Sequence, residues 1–452
     1  MGVKSNIINI LFISILIDFL EFTIILPLLP KILTYYGSET DSNHDTLYKK
    51  TMSFVQFIQD LTGAPNDAKW NSVLFGGIIG SLFSLLQFFS STLCGIASDR
   101  YGRKPVLLIS MIGISLSYGL WCISFNLTIF MIARIVSGLS KANVAITLAI
   151  VSDTTTETER NRAMAWIGAA FSLGFIFGPL LGALCSQLGV MYWSSSSVSF
   201  FIVPACVSLV LSLINIGFIY RCCPETLPIS KRNGRKTTIN DVFNAIIPWR
   251  LFQFSAIHKT KSNHDILILR RLGLASFAYM IVFAGLEFTI TFLVYNRFNW
   301  NSMQQGKMFF IMGLCMALVQ GGYVRRIPHG KEITAAITGI SILIPSFLIL
   351  AVAQTKLILW VGLILFSFAS SLVINVINSF ASKYGLQNEK GAILGIFRSL
   401  QALARAIGPL IASFAYWSIG EKTTYIFGSF CLLCPLLILI NVQHHLRTFC
   451  KP

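Results

Sequence analysis

Charged residues are scarce in this chain of 452 residues: they make up 12% of it, whereas hydrophobic residues make up 54%. Soluble domains carry about 25% charged residues. The composition therefore excludes a soluble protein and indicates one that crosses a membrane several times. The first apolar run is too long for a cleavable signal peptide and contains Asp18 and Glu21, so it predicts a spanning helix.

Histidine is also scarce, and all six histidines lie in predicted loops or at predicted helix ends. This placement argues against a histidine proton relay inside the membrane. The patterns GxSxG, HExxH, Walker A and GxGxxG are missing, so no enzyme activity is expected. The ten cysteines are scattered through apolar runs, and Cys431 and Cys434 have no second ligand pair, so no metal or other cofactor is expected.

The net charge of +17 is unevenly distributed. Residues 221–271 hold ten Lys and Arg against three acids, whereas residues 31–69 hold four Lys against five acids. Basic residues concentrated in alternate loops follow the positive-inside rule of membrane proteins, so no nucleic-acid partner is expected. We therefore expect a cytoplasmic central loop and a first loop that faces the outside or a lumen.

Apolar runs long enough to span a bilayer recur twelve times, at residues 8–30, 71–94, 105–124, 127–149, 162–186, 197–220, 272–295, 304–325, 333–352, 356–381, 391–417 and 422–442. An even number of spans places both termini on the cytoplasmic side with the central loop. The sequence thus predicts an all-α membrane protein with twelve transmembrane helices. It shows no retention or lipid-anchor signal that would select the plasma membrane or an internal membrane.

The chain contains an internal repeat. Leu-Glu-Phe-Thr-Ile occurs at residues 20–24 and again at 286–290, each time about fifteen residues into an apolar run. Helices one to six therefore repeat as helices seven to twelve. The predicted domains are a six-helix bundle at 1–220, a basic cytoplasmic linker with an interfacial helix at 221–270, and a second six-helix bundle at 271–452. Parallel repeats of this kind bind substrate at mid-membrane between the bundles.

The loop after the second helix carries a recognisable motif, Gly95-Ile96-Ala97-Ser98-Asp99-Arg100-Tyr101-Gly102-Arg103-Lys104. It resembles the G-x-x-x-D-R-x-G-R-R/K motif of the major facilitator superfamily and has the same position between helices two and three. The resemblance implies a secondary transporter that works by alternating access.

Each residue of this motif has an expected role. Gly95 would permit close helix approach, and Gly102 would form a tight turn. Asp99 would face the N-terminus of a neighbouring helix, for which helix eleven is the candidate, while Arg100 and Arg103 would pair with an acid. The expected partners are Asp153 and Glu157. Together with Arg398, these motif residues are predicted to gate the cytoplasmic side.

Helix five carries Gly174-x-x-x-Gly178-Pro179-x-x-Gly182, which resembles the antiporter motif of the same family. Small residues at this spacing let helices pack closely, and the proline bends the helix. Close packing alone would also explain these glycines. Arg134 with Gly138 resembles the Arg-x-x-x-Gly of proton-coupled drug antiporters. A closer resemblance, to tetracycline-transporter-like members of the family, implies an organic-anion or drug-like substrate and lies in residues 71–77, 85–88, 224–228, 304–310 and 398–400.

Three of the eighteen acids lie deep inside predicted helices: Asp18, Glu21 and Glu287. A charge at that depth costs roughly 2.5–3.5 kcal/mol on insertion scales, so an idle carboxyl group is not expected there. An apolar environment favours the protonated form of a carboxyl group, which suits proton coupling. The alternative is a structural ion pair with a basic residue.

Four cations also lie at depth: Arg134 and Lys141 in helix four, and Arg398 and Arg405 in helix eleven. Each pair is seven residues apart, which places it on one face of its helix. A guanidinium fork suits a carboxylate or phosphate, and four cations against three acids favour an anionic substrate. The predicted substrate ligands are therefore Arg405, Arg134 and Lys141. The amides of Gln87, Gln320 and Asn375 would hydrogen-bond the substrate or bridge packed helices.

The sequence thus predicts a transporter in a lipid bilayer that exchanges protons for organic anions or amphipathic drugs such as tetracycline-like compounds. Bundles of this kind can act as monomers. The alternatives are a receptor or scaffold that docks partners through residues 231–265, and a uniporter or symporter of another small metabolite. Asn126 lies in a glycosylation pattern, and Cys222 and Cys223 are candidates for palmitoylation.

Overall fold

The computed structural model describes residues 2–37, 46–62, 68–192, 198–228, 232, 248–254, 263–328, 330–384 and 390–449. Within these ranges the secondary structure is helical and no strand occurs. The helices are α1 (Gly2–Thr23), α2 (Leu29–Tyr36), α3 (Thr46–Thr62), α4 (Ala68–Tyr101), α5 (Arg103–Cys122), α6 (Leu127–Ser140), α7 (Asn143–Thr154), α8 (Glu157–Tyr192), α9 (Ser199–Cys222), α10 (Pro248–Gln253), α11 (Asn263–Phe298), α12 (Ser302–Gly322), α13 (Glu332–Val352), α14 (Lys356–Ser382), α15 (Lys390–Ile419), α16 (Glu421–Cys431) and α17 (Leu433–Phe449).

The chain forms two compact units. The first comprises Met1–Ile246 and Asn299–Ile311, and the second comprises Ile247–Phe298 and Met312–Pro452. We call them the N-terminal and C-terminal units. The predicted domain boundaries at residues 220 and 270 stay predictions.

Ten helical segments of the described chain are long and apolar enough to cross a membrane. In two of them a pair of helices forms one span, α6 with α7 and α16 with α17. The other two predicted spans, the first and the eighth, correspond to α1–α2 and to α12. Helices therefore occur in each of the twelve predicted apolar runs.

The first apolar run is not one continuous helix. It ends as α1 at Thr23, passes through turns and resumes as α2 at Leu29. Pro27 and Pro30 explain the interruption, because proline lacks the N–H that would continue the hydrogen-bond ladder. The sequence therefore predicted the span but not its break.

Two short amphipathic helices were expected beside the membrane. The first, predicted around Phe57, lies within α3, where the Phe57 side chain is exposed. The second, predicted at Val242, Phe243, Ile246 and Ile247, lies outside the described residues. Of that central region, the structure shows the short helix α10.

Glycine contacts hold α8 against α1 in the N-terminal unit. A Cβ atom added to Gly174, Gly178 or Gly182 would collide with atoms of Phe19, Leu20, Thr23 or Ile24. The close packing expected from the helix-five motif is therefore present, and α8 continues through Pro179. In the C-terminal unit the same role falls to Gly408 and Gly285, where a Cβ at Gly408 would lie 3.1 Å from the Gly285 nitrogen.

Arg297 connects three helix ends in the C-terminal unit through hydrogen bonds and an ion pair. Arg297, near the end of α11, donates through Nη1 to the carbonyls of Leu350, Ala351 and Ala353 at 3.0, 3.2 and 2.9 Å. Its Nε lies 2.6 Å from Glu421 at the start of α16. The guanidinium thus satisfies carbonyls at the end of α13 that would otherwise lack donors.

Lys31 is the counterpart of Arg297 in the repeat, because each lies eleven residues after the leucine that opens its Leu-Glu-Phe-Thr-Ile copy. The Lys31 ammonium lies 4.3 Å from the centre of the Phe200 ring. A cation over an aromatic face is a weaker interaction than the ion pair and hydrogen bonds of Arg297.

Candidate functional site

The N-terminal unit buries a cluster of two acids and one lysine. Asp18 is 1% exposed, Glu21 2% and Lys141 2%. The Lys141 ammonium pairs with Asp18 Oδ1 at 2.7 Å, and Glu21 has Asp18 and Lys141 as charged neighbours. Within the described residues, Asp18 Oδ2 and Glu21 Oε2 have no hydrogen-bond partner. One ammonium therefore faces two carboxyl groups.

Lys141 reaches Asp18 because its own helix breaks there. α6 ends at Ser140, Lys141 has φ −79° and ψ 61°, and α7 begins at Asn143. Lys141 and Arg134 were expected to lie on one helical face because they are seven residues apart, and the break removes the basis of that expectation. The break redirects Lys141, so the seven-residue spacing no longer sets its direction.

Arg134 lies in an aromatic environment rather than beside a carboxylate. Its guanidinium lies 5.4 Å from the Phe130 ring centre and 5.7 Å from that of Trp121. The side chain is buried, and Nε has no hydrogen-bond partner in the described chain. Aromatic faces stabilise the cation without neutralising it.

Tyr118 is a member of this cluster that the sequence did not reveal. It lies buried on α5, with Glu21, Asp18 and Arg134 as charged neighbours. Tyrosine is common in apolar helices, and no spacing rule relates residue 118 to residues 18 or 134. Its hydroxyl therefore interacts electrostatically with both the acids and Arg134.

The C-terminal unit arranges its charges differently. Glu287 on α11 is half-buried and Arg405 on α15 is exposed. Each is the charged neighbour of the other, yet their side chains form no ion pair within 4.0 Å. Buried Tyr279 has Glu287 as its charged neighbour, and its hydroxyl has no hydrogen-bond partner among the described residues.

Arg398 lies on the same helix as Arg405, two turns nearer the start of α15, and is exposed. Because α15 is continuous from Lys390 to Ile419, the seven-residue spacing does place both guanidinium groups on one face. Its assignment as a gate residue stays a prediction.

The three predicted amide ligands make no hydrogen bond within the described ranges. Gln87 and Gln320 are half-buried and Asn375 is exposed. By contrast, Gln401 donates to Asn378 at 2.9 Å and to Ser276 at 3.1 Å. Gln401 and Asn378 therefore bridge packed helices, whereas the ligand role of Gln87, Gln320 and Asn375 stays a prediction.

The motif loop between α4 and α5 is held by Arg103. Its guanidinium pairs with Asp99 at 2.7 Å and with Asp153 at 2.8 Å, so Asp153 is the expected acid that it meets. Gly102 has φ +106°, a conformation that glycine adopts without strain, as the tight turn requires. Arg100 lies over the Tyr101 ring at 5.5 Å.

One expectation for this loop is not met, and two stay predictions. A Cβ added to Gly95 would meet no atom within 4 Å in the described chain, so the expected close helix contact is absent. Asp99 pairs with Arg103, four residues along its own chain, and its expected place at the N-terminus of a neighbouring helix stays a prediction. The side chain of Glu157 lies outside what the structure describes.

Glu225, which is 122 residues from Arg103 in the sequence, hydrogen-bonds to the same loop. Its carboxylate accepts from the backbone N–H of Arg103 at 3.0 Å, of Lys104 at 3.3 Å and of Leu227 at 2.9 Å. Gly102, the residue that caps α5, has no side chain to serve these donors, so Glu225 caps the helix in its place. Arg232 pairs with Glu225 at 3.3 Å.

The two candidate modification sites have structural contacts. Asn126 Oδ1 accepts from the Ile129 N–H at 2.9 Å and caps α6. Cys222 is exposed, whereas Cys223 is buried and donates to the Pro224 carbonyl. Burial also raises the pKa of the Cys223 thiol, which disfavours the nucleophilic thiolate. Of the two cysteines, Cys222 is thus the more accessible to acylation.

Comparisons with known proteins agree with this architecture. The Major Facilitator Superfamily profile matches residues 11–409. The chain is 40% identical over 449 residues to Major facilitator superfamily domain-containing protein 10 of Mus musculus, covering 98% of this chain and 94% of that one. It is 27% identical over 344 residues to Tetracycline resistance protein, class B, of Escherichia coli, covering 75% and 78%. The crystal structure of the human organic anion transporter MFSD10 superposes with a TM-score of 0.78 at 38% identity, covering 97% of this chain and 100% of that one.

Proposed function

Because the chain belongs to the major facilitator superfamily of membrane transporters, we propose that it exchanges protons for organic anions or amphipathic drug-like compounds by alternating access. It is a multi-pass membrane transporter and not an enzyme. The finer assignment takes support from relatives named as an organic anion transporter and as tetracycline resistance proteins, and from the helix-five motif.

The buried Asp18–Glu21–Lys141 cluster carries the proton-coupling half of the proposal. With both carboxyl groups ionised the three groups sum to one negative charge, and burying an uncompensated charge is costly. One proton removes that charge. Asp18 holds the ion pair with Lys141, so Glu21 is the proton carrier.

Arg405 is the main substrate ligand in the proposal. It is exposed and forms no direct ion pair with Glu287, so its planar guanidinium is accessible to a carboxylate or phosphate of the substrate. Arg134, with its unpartnered Nε, is the second ligand in the proposal. Lys141 would serve as a third ligand after Asp18 releases it.

The electrostatic interaction between Glu287 and Arg405 favours a second candidate, a proton–anion symporter. A proton on Glu287 leaves Arg405 without an acidic neighbour, and an anion bound at Arg405 in turn favours the protonated form of Glu287. Proton and anion would then bind together. Antiport requires the opposite relation, in which the substrate displaces a proton.

The direction of a pH gradient separates these candidates. Purified protein in liposomes would be tested for uptake of labelled organic anions and a tetracycline under an imposed gradient. Uptake driven by an acidic vesicle interior supports antiport, and uptake driven by an acidic exterior supports symport. Either activity should be lost in Arg405→Ala and should lose its pH dependence in Glu21→Gln and Glu287→Gln.

Matched controls lie at exposed positions outside these clusters: Asp60→Asn for the carboxyl groups and Lys356→Ala for the cation. Transport that keeps its rate and pH dependence in both Glu21→Gln and Glu287→Gln would contradict proton coupling at these acids. Function that survives these changes but disappears on deletion of residues 231–265 would instead support the receptor or scaffold alternative.

A further inference from the structure

The C-terminal unit has a cavity of about 420 Å³ where α12 ends and α13 begins. Its wall includes Tyr323, Arg326, Lys331, Thr334 and Thr338. Both helices are spans of the membrane domain, so the cavity lies at one membrane surface, on the side predicted to be cytoplasmic. Its position at the membrane surface makes it separate from the proposed transport site.

The two cations of this cavity have no partner in the described part of the chain. Arg326 and Lys331 are both exposed, and their side chains form no hydrogen bond and no ion pair there. The adjacent acid Glu332 does not neutralise them, because it pairs with Lys383 and accepts from the Gly330 N–H at 2.8 Å. The cavity therefore keeps two uncompensated positive charges.

The corresponding loop of the other repeat uses its cations differently. Between α4 and α5, Arg103 meets Asp99 and Asp153, and Lys104 donates to the Tyr220 carbonyl at 2.8 Å. Those cations hold the N-terminal unit together. Since the repeat places the α12–α13 loop in the equivalent position, its free cations point to a ligand rather than to a structural role.

A phosphate group is a suitable ligand for the cations and hydroxyl groups of this cavity. An arginine fork binds two phosphate oxygens and a lysine adds a point charge. Thr334 Oγ1 accepts from Gln443 at 2.7 Å, which leaves its own hydroxyl hydrogen for a ligand. Exposed Tyr323 lies beside the cavity at the end of a spanning helix, where tyrosines meet lipid headgroups.

We propose that this cavity binds the phosphate group of an anionic lipid headgroup. Basic pockets between spanning helices on the cytoplasmic side recognise such headgroups, and each cation near the surface strengthens the attraction. A bound lipid would hold the ends of α12 and α13 together through the ligand. This proposal concerns binding alone and holds or fails independently of any transport activity.

Native mass spectrometry of the full-length protein in detergent would test lipid binding directly. The lipids are phosphatidylinositol 4-phosphate, phosphatidylserine and phosphatidylcholine. We expect the double variant Arg326→Gln/Lys331→Gln to bind the first lipid at least about tenfold more weakly than the unmodified protein. Phosphatidylcholine should bind equally to both.

The matched control is Lys356→Gln/Lys422→Gln, which removes two exposed lysines from the opposite end of the same unit. It should bind phosphatidylinositol 4-phosphate as the unmodified protein does. An equal loss in the control and in the cavity variant would overturn the proposal, because it would mean that general positive charge binds the lipid.

Thr338→Trp gives a third arm, since it fills the cavity from an exposed position and keeps both charges. We expect it to lose the anionic lipid as well, and unchanged binding would overturn the cavity as the site. Inorganic phosphate separates the two sources of the ligand. If millimolar phosphate displaces the lipid completely, the cavity is a site for soluble phosphate and the lipid assignment is overturned; if the lipid stays bound, that assignment stands.

Discussion

The two copies of Leu-Glu-Phe-Thr-Ile place their acids in different surroundings. Glu21 lies in a closed cluster, buried with Asp18 and with a lysine that is already paired. Glu287 is half-buried beside an exposed arginine, without a direct ion pair. The repeat therefore preserves where each acid stands on its helix but not what neutralises it.

The backbone contacts around these acids differ far less. In both units a glycine that precedes a proline lies against the helix that carries the pentapeptide, Gly178 in one and Gly408 in the other. Close backbone packing depends on small residues, which the repeat retains, whereas charge contacts depend on single long side chains. In the proposed function, the N-terminal half would hold the proton and the C-terminal half would bind the ligand.

The largest expected effect tests the closed cluster. Lys141→Met leaves two buried carboxyl groups without a cation, and breaking a buried pair in this way costs about 3–5 kcal/mol of unfolding free energy. Thermal unfolding in detergent would measure the loss. Lowering the pH should restore part of it, because a protonated carboxyl group needs no counter-charge. Asp18→Asn combined with Lys141→Met should also restore part of it.

Arg405→Met is the corresponding change beside Glu287 in the C-terminal unit. It removes an exposed cation that forms no ion pair, so we expect a much smaller stability loss together with loss of anion transport. Equal losses of stability in Lys141→Met and Arg405→Met would show that the two clusters are equivalent after all.

The next effect compares the two ends of the repeat at Arg297 and Lys31. Arg297→Met removes charge-assisted hydrogen bonds to Glu421 and to three carbonyls, so we expect a loss of about 2–4 kcal/mol. Lys31→Met removes one contact with the Phe200 ring and should cost about 1 kcal/mol. Unfolding midpoints of the two variants measure the difference, and a larger loss at Lys31 would reverse this assignment.

Glycine substitutions give a smaller effect of predictable sign. Gly182→Ala places a Cβ 2.9 Å from Ile24 Cα, so we expect a loss of about 1–3 kcal/mol. Gly95→Ala meets open space within a helix and should stabilise the protein by about 0.5–1 kcal/mol. Thermal unfolding of both variants checks the signs. A destabilising Gly95→Ala would mean that the helix contact expected there forms in another state of the transporter.

The smallest effect comes from the threonine of each pentapeptide. Thr23 donates to the Gly174 carbonyl at 3.1 Å, and the Thr289 hydroxyl lies 3.0 Å from the Tyr425 hydroxyl. Valine at either position keeps the shape and removes the hydrogen bond, so each change should cost about 1 kcal/mol. Similar unfolding midpoints for Thr23→Val and Thr289→Val would agree with conserved helix packing, whereas a gap above about 2 kcal/mol would extend the divergence to the packing itself.

Sequence reasoning succeeded where one residue type fixes the geometry. Twelve apolar runs gave the helices, Gly102 indicated a tight turn, and the glycines of helix five indicated close packing. These features follow from local rules of hydrophobicity and backbone conformation. The candidate acids and cations were also recognisable, because a charge stands out in an apolar run.

The pairing of these acids and cations could not be predicted from the sequence. The helical spacing of Arg134 and Lys141 assumed an unbroken helix, whereas the break at Lys141 sends that side chain to Asp18. Glu225 lies 122 residues from Arg103, and no periodicity relates them. Tyr118 lies near the acids because of how α5 packs. Apolar residues determine that packing, and the apolar pattern alone is compatible with many arrangements of the helix.

The cap that Glu225 supplies to α5 also determines where the polypeptide can be divided. If the two halves are produced as separate chains, a cut after residue 220 leaves the first turn of α5 without its acceptor and discards the partner of Arg232. A cut after residue 232 keeps that carboxylate with the half it serves. The beginning of the linker is thus part of the N-terminal half in a physical sense, and complementation between separately produced halves should depend on which side of Glu225 the break falls.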